Sequence, residues 1–202
     1  MSTDTTLHAR PLLHTPMGDY PADAAVCYTG GAVRTVRLWP GAEVAIPTPA
    51  GQISTAIGFS MYEDGRLESI EPAQPAPVTT PMGTLPAYDA LAEASAAGLY
   101  SLQFEPDGRV RGLTLSDGGI HVQYDDGRGA WVYPQVAAAD PMEEIDDDGG
   151  MLLPIRVDIR EDAVVVRSGD ATALFPAFHT RFTVQGGCAG GCSGCSGCSG
   201  CR

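Results

Sequence analysis

Two short turn motifs recur along the first half of this chain, and their spacing constrains the fold more than any other feature. A Thr-Pro-x-Gly motif occurs three times, 33 and then 32 residues apart, at Thr15–Gly18, Thr48–Gly51 and Thr80–Gly83. After each copy comes an aromatic residue followed by a glycine, in "YTGGAV" from Tyr28, "YEDGRL" from Tyr62 and "FEPDGRV" from Phe104. A nearly constant period indicates a repeat architecture with two turns in each unit of about 33 residues.

The residues of these motifs predict tight turns between short β-strands. Proline presets φ in the first motif, and the glycine of the second can adopt a positive φ without a steric penalty. The residues after the second turn alternate, so we expect Leu67 and Ile70 to face the core and Glu68 to face water. We therefore predict a mainly β fold, either a meander forming an open sheet or a solenoid-like stack of units.

The rest of the sequence predicts one short helix and further strands. The segment at residues 86–98, "PAYDALAEASAAG", consists largely of good helix formers and ends in a glycine suited to a helix C-cap. Beyond it, "YDDG" from Tyr124 is a fourth copy of the aromatic turn, and "FHTRFTV" from Phe178 is predicted to be the last strand. We expect an N-terminal arm at residues 1–14, a β-repeat domain at 15–185 and a disordered Cys-rich tail at 186–202.

The charge of the chain argues against some classes of partner. Its formal net charge is −13, and its twelve basic residues are all arginine, with no basic stripe. We therefore expect neither nucleic acid nor an anionic membrane surface to bind. No segment has the apolar length of a secretory signal or of a membrane span. The sequence thus predicts a cytoplasmic protein, whose thiols stay reduced.

Five of the six cysteines lie in the predicted tail, at Cys188, Cys192, Cys195, Cys198 and Cys201. Gaps of two or three residues allow these thiolates to turn towards one centre, and thiolate is the soft ligand that selects Fe–S clusters, Zn²⁺ or Cu(I). We therefore predict that all five are metal ligands. The alternatives are a flexible thiol cluster that transfers Cu(I), a persulfide or reducing equivalents, a disulfide-linked or merely low-complexity tail, and covalent modification of the thiols.

Three resemblances add expectations. The aromatic-turn units, over roughly residues 15–115, resemble the MORN-like repeats of bacterial proteins labelled as antitoxin components of toxin–antitoxin pairs. That resemblance implies a sheet-like platform that binds a protein partner. The C-x2-C-x2-C run resembles the ligand loop of bacterial ferredoxins, which implies an Fe–S cluster. The tail also resembles the core of a ribosomally made peptide crosslinked by a radical enzyme, which implies that it is a substrate.

The other candidate residues point to structure rather than to chemistry. Cys27 lies in a predicted strand and is expected to be a small buried hydrophobe. His179 is the imidazole nearest the tail in sequence; we expect it on a strand surface, and it supplies a metal ligand only if the tail folds back. "MEEIDDDGG" lacks the later ligands of a Ca²⁺ loop, and no nucleophile elbow, phosphate loop or His-Glu-x-x-His occurs. No catalytic residue is predicted, which disfavours an enzyme.

Together these features predict a cytoplasmic accessory protein. Its β-repeat domain docks a protein partner, and its tail binds a soft metal or an Fe–S cluster. One alternative is an antitoxin-like interaction module with an incidental tail, and another is a substrate whose tail is crosslinked. The edge strands of an open meander also permit self-association.

Overall fold

The computed structural model describes residues 12–90, 92, 99–116, 118–136 and 152–185, and all regular secondary structure in them is β. The strands are β1 (Leu12–Thr15), β2 (Gly18–Cys27), β3 (Val33–Leu38), β4 (Val44–Thr48), β5 (Gly51–Thr55), β6 (Gly58–Met61), β7 (Leu67–Ile70), β8 (Ala76–Thr80), β9 (Gly83–Ala87), β10 (Leu102–Phe104), β11 (Val110–Leu115), β12 (Gly119–Tyr124), β13 (Gly129–Val132), β14 (Ile155–Ile159), β15 (Ala163–Ser168), β16 (Ala171–Pro176) and β17 (Thr180–Gln185).

Ten of these strands form one open antiparallel sheet, in the order β1-β2-β3-β6-β7-β10-β11-β14-β15-β16. Between successive hairpins of this main sheet, the chain forms a hairpin outside it. The outlying hairpins are β4–β5, β8–β9 and β12–β13, and β17 pairs with β12 to make the last of them three-stranded. The predicted β-meander is confirmed. Each unit consists of one hairpin inside the main sheet and one outside it.

A single hydrophobic cluster joins the main sheet to the outlying hairpins. Phe59 and Ile70 of the main sheet and Ile46, Val78 and Ile120 of the three hairpins are fully buried in it. Each such side chain contributes about 1.5–3 kcal/mol by its removal from water. A two-stranded hairpin is at best marginally stable in water, so the units stabilise one another through this shared core.

Threonine hydroxyls stabilise every Thr-Pro-x-Gly turn. The Oγ1 of Thr15 donates to the carbonyl of Gly18 (2.9 Å) and accepts the N–H of Met17 (3.2 Å). Thr48 and Thr80 make the same two bonds, and the glycine of each copy has a positive φ, between 108° and 135°. Thr55 makes equivalent bonds in a turn that has no proline. The hydroxyl is therefore the feature that these turns share.

The aromatic turns also have a common geometry. At Tyr28, Tyr62 and Tyr124, the tyrosine carbonyl accepts the N–H of a glycine three residues later, and φ of that glycine lies between 84° and 86°. The predicted fourth copy at Tyr124 is thereby confirmed. The third copy is shifted by one residue, because Phe104 is buried in β10 and Glu105 accepts the N–H of Gly108. The turn geometry is therefore the same in the third copy, although its first position is not an aromatic residue.

The helix predicted at residues 86–98 does not begin as expected. Pro86 and Ala87 belong to β9, where they pair with Pro77 and Ala76. The turn at Thr80–Gly83 sets this register, and strand pairing overrides the local helix propensity. Leu91 and residues 93–98, also part of the predicted helix, lie outside the described residues. Among the residues that are described, no helix is long and apolar enough to cross a membrane.

Two predicted side-chain environments are wrong. Cys27 is exposed, because β1 pairs only with the first part of β2 and leaves residues 23–27 beside β3 alone. Glu68 is only 8% exposed, because β7 lies in the middle of the main sheet where all four of its residues are buried. Alternation along a strand predicts one wet face, and here both faces are covered.

Candidate functional site

The five cysteines predicted as metal ligands lie outside the described residues, so their role stays a prediction. The last strand, β17, ends at Gln185, and His179 lies at the opposite end of it, in the turn before Thr180 rather than on the strand. Within the described ranges, no group of three or more His, Cys, Asp or Glu side chains could hold a metal ion.

The turns of successive units contact one another along one end of the main sheet. The turn of Pro16 contacts the aromatic turn of the next unit at Gly65, where an added Cβ would lie 2.7 Å from the Cβ of Pro16. Pro49 contacts Gly108 in the same manner, with a corresponding distance of 3.4 Å. These two Thr-Pro turns thus each cover a glycine that has no side chain to obstruct it.

This series is interrupted at its third step, and a groove opens there. The Pro81 turn and the β14–β15 turn, residues 160–162, both contribute to the lining of a groove of about 1220 Å³. The β14–β15 turn contains no glycine. Residues from the Pro49 turn, the Gly108 turn, the Tyr124 turn and the β16–β17 turn complete the lining. We call this site the turn groove.

Two arginines in the turn groove, Arg160 and Arg181, have side chains that make no hydrogen bond, ion pair or ring contact with the rest of the described chain. All other arginines in the described ranges have a partner. Those partners are the Tyr28 ring for Arg34, Asp23 for Arg37, Asp64 for Arg66, Asp107 for Arg109, Glu68 and Gln103 for Arg111, Asp126 for Arg128, and Asp158 for both Arg156 and Arg167. In a chain with a net charge of −13, unpaired arginines are the exception, and these two line the same groove.

His179 in the turn groove is held in an unusual conformation. Its φ is 69°, a positive value that no other non-glycine residue in the described ranges adopts. Two bonds to Asp125 hold it there. The ring Nδ1 lies 2.6 Å from Oδ2 of Asp125, and the His179 carbonyl accepts the Asp125 N–H at 3.1 Å. Because a carboxylate only accepts hydrogen bonds, Nδ1 carries the proton and Nε2 remains open to a ligand. Such backbone strain concentrates at functional sites.

Phe178, which precedes this histidine, adds an apolar surface to the groove. Its side chain is 65% exposed although it is large and hydrophobic. The β16–β17 turn therefore presents an aromatic ring, an oriented imidazole and, three residues later in the chain, the unpaired Arg181. The groove can thus contact both an apolar group and an anion.

A second exposed feature lies on the outlying sheet. The rings of His121, Trp131 and Tyr133 stack in a row, with centroid distances of 4.5 and 5.7 Å, and Trp131 and Tyr133 are 43% and 61% exposed. We call these three residues the aromatic row. β13 is the outer strand of this sheet. An exposed aromatic surface beside an edge strand is suited to contact with another protein.

One buried carboxyl, Glu71, does not belong to the turn groove. It accepts the N–H of Asp89 (3.0 Å) and both the N–H (3.1 Å) and the hydroxyl (2.8 Å) of Ser101. Burial raises the pKa of Glu71 to about 7, although these hydrogen bonds act in the opposite direction. Glu71 does not line the groove, and its bonds connect segments of the fold.

A scan of protein-family models, a search of curated proteins and a search of solved structures each find no match to this chain. The function therefore has to be argued from the residues themselves.

Sequence reasoning did not predict the turn groove. Its unpaired arginines are separated by twenty residues of sequence, and neither occurs in a recognisable motif. The one available signal is the repeat itself. The turn at residues 160–162 occupies the position of an aromatic turn but has no glycine, so a departure from the period marks the site.

Proposed function

We propose that this chain is an accessory protein in which a β-repeat body docks a protein partner and the cysteine tail binds a soft metal ion or an Fe–S cluster. The observation that carries this proposal is the separation of the thiols from the fold. The hydrophobic core contains no cysteine, the one described cysteine is the exposed Cys27 at the end of β2, and five others follow the last strand in sequence.

The chemistry of the proposed site comes from the tail residues. Cys188, Cys192, Cys195, Cys198 and Cys201 offer five thiolates, one more than a tetrahedral Zn²⁺ site or a cubane cluster requires. A bound cluster would supply electron transfer, and Zn²⁺ or Cu(I) would supply a structural or transferable ion. Thiolates prefer these ions to harder cations such as Mg²⁺.

A metal assay on matched variants tests the proposal. The full chain and a chain ending at Gly187 are purified without oxygen, and Fe, Zn and Cu are measured by mass spectrometry. We expect metal in the full chain and none in the truncated chain. The variant Cys27→Ser is the control; it removes a thiol outside the tail and is expected to keep the metal. A metal-free full chain with five titratable tail thiols would contradict the proposal.

The second candidate is a MORN-like interaction module whose tail has no metal. The exposed aromatic row favours a docking role that does not depend on the thiols. The two candidates differ in the metal assay. If the tail is instead the substrate of a radical crosslinking enzyme, protein from its native host will have a mass lowered by lost hydrogens and cysteines that resist alkylation.

A further inference from the structure

We propose that the turn groove binds an acidic, extended peptide segment of a partner protein, with Arg160 and Arg181 contacting its carboxylates and Phe178 packing against an apolar side chain. This site is independent of the cysteine tail. It is built entirely from residues that the structure describes.

The two arginines without ion pairs, Arg160 and Arg181, favour an anionic ligand in the part of the groove that they line. Three carboxylates, Glu105, Asp125 and Glu161, also contribute to the lining. Asp125 is engaged by His179, while Glu105 and Glu161 raise the pKa of Arg109, after the larger effect of Asp107. Within the described residues, none of these carboxylates forms an ion pair with Arg160 or Arg181.

Arginine is the cation best suited to carboxylate recognition. Its planar guanidinium donates two parallel hydrogen bonds to a carboxylate, and such charge-assisted bonds are about twice as strong as neutral ones. The neighbouring Nε2 of His179 adds a polar group whose orientation is set by Asp125. The two guanidinium groups and the imidazole are thus available to more than one acidic residue.

The size and lining of the groove favour a peptide over a small anion. A volume of about 1220 Å³ is larger than that of a typical small-molecule pocket, about 300–1,000 Å³. The lining also includes the apolar residues Pro81, Ile159 and Phe178, which are at least partly exposed and which a small oxyanion would leave in water. A segment that alternates acidic and apolar residues satisfies both parts of the site.

The binding test uses a peptide of known sequence that has this chemistry. The capped nonapeptide PMEEIDDDG, the sequence of residues 141–149, combines five acidic residues with the apolar residues Met and Ile. Its counterpart, with Gln and Asn in place of Glu and Asp, lacks the carboxylates. Titration calorimetry on the full chain is expected to detect the acidic peptide and not the neutral one. The variants Arg160→Ala and Arg181→Ala are each expected to weaken binding by about tenfold.

Matched variants separate a groove effect from a general loss of charge. Arg66→Ala and Arg128→Ala remove exposed arginines outside the groove and are expected to leave the affinity unchanged. Phe178→Ala is expected to weaken binding without changing its dependence on salt. Circular dichroism checks that each variant is folded, and Arg160 and Arg181 are exposed, so their replacement should leave the fold intact.

Several results would overturn the proposal. These are no binding of the acidic peptide at about 1 mM, equal binding of the neutral peptide, and equal binding by the double variant Arg160→Ala/Arg181→Ala. Displacement of the peptide by inorganic phosphate at a lower concentration would assign the groove to a phosphate ligand instead. A dimer of the full chain that dissociates in the double variant would assign the occupant to a second copy.

Discussion

At the scale of single residues, Glu71 is a buried carboxyl whose pKa lies far above its ordinary value. Glu71 is 1% exposed, and it accepts hydrogen bonds from Asp89 and Ser101, which lie near the two ends of the segment between β9 and β10. Burial raises its pKa to about 7, and the nearby Asp89 carboxylate adds a smaller effect in the same direction. The folded state therefore holds the proton more tightly than the unfolded chain does.

This shift predicts that the fold loses stability as the pH rises. The group has its ordinary pKa of 4.5 when unfolded and about 7 when folded, so its contribution is fully present below pH 4.5 and is lost as the pH rises through 7. The loss is at most about 3 kcal/mol. Urea unfolding between pH 5 and 8 should show a steeper decline for the wild-type chain than for Glu71→Gln.

The control for this experiment is Glu63→Gln, which replaces an exposed carboxylate in the β6–β7 turn. That variant should follow the wild-type pH profile. Parallel profiles for wild type and Glu71→Gln would show that Glu71 titrates normally. The sequence around this residue, "SIEPAQ", carries no sign of the shift, because burial of Glu71 depends on Ser101, thirty residues away. Environments created by distant segments cannot be inferred from local pattern.

At the scale of elements, tyrosine hydroxyls connect the first two aromatic turns to the units that follow them. The hydroxyl of Tyr28 donates to the carbonyl of Met61 (2.9 Å), and that of Tyr62 donates to the carbonyl of Phe104 (2.7 Å). In both cases the accepting residue directly precedes the next turn. The aromatic residue of the repeat therefore sets the register between units as well as packing beside its own turn.

Removing either hydroxyl should destabilise the fold without altering it. We expect Tyr28→Phe and Tyr62→Phe each to lower the free energy of unfolding by about 1 kcal/mol, the typical net contribution of one hydrogen bond. Tyr133→Phe is the control, because Tyr133 is 61% exposed and its hydroxyl has no hydrogen bond within the described chain. An equal change in all three variants, measured by urea unfolding, would show that the inter-unit bonds contribute nothing.

The elements themselves were largely predictable from sequence, since their turns depend on local chemistry. Glycine at a positive φ and threonine or proline at fixed offsets determine a turn wherever they occur, so the copies at Tyr28, Tyr62 and Tyr124 were found. What pattern alone does not determine is which hairpins leave the main sheet. That choice depends on which apolar faces meet in the shared core. Ile46 and Phe59 are both apolar residues in short strand-like segments, yet only Phe59 is in the main sheet.

At the scale of the whole molecule, the turn groove lies where a contact that repeats between successive units is missing. Two Thr-Pro turns cover the glycines of the units that follow them, and the third faces a turn without one. Such a site draws its residues from six separate turns, so no local motif predicts it. The predicted tail chemistry, by contrast, is a purely local pattern of cysteines. The two candidate sites therefore differ in kind, since one depends on the fold and the other on spacing alone.

If the tail is separate from the fold, its removal should not affect stability. A chain ending at Gly187 keeps all of β17, and we expect its free energy of unfolding to match that of the full chain within about 0.5 kcal/mol. A chain ending at Pro176 is the contrasting case. It loses the buried ring of Phe182, six residue pairs with β12 and the bond from the Phe182 N–H to the Met82 carbonyl (2.8 Å).

We expect the chain ending at Pro176 to have a free energy of unfolding lower than that of the full chain by at least about 3–5 kcal/mol, the usual range for loss of one buried phenylalanine. Thermal unfolding followed by circular dichroism distinguishes the two variants. If the chain ending at Gly187 melts well below the full chain, residues 188–202 contribute to the folded core and the domain boundary at residue 185 is misplaced. If it melts with the full chain while losing bound metal, the thiols act on a body that is complete without them, as the proposed function requires.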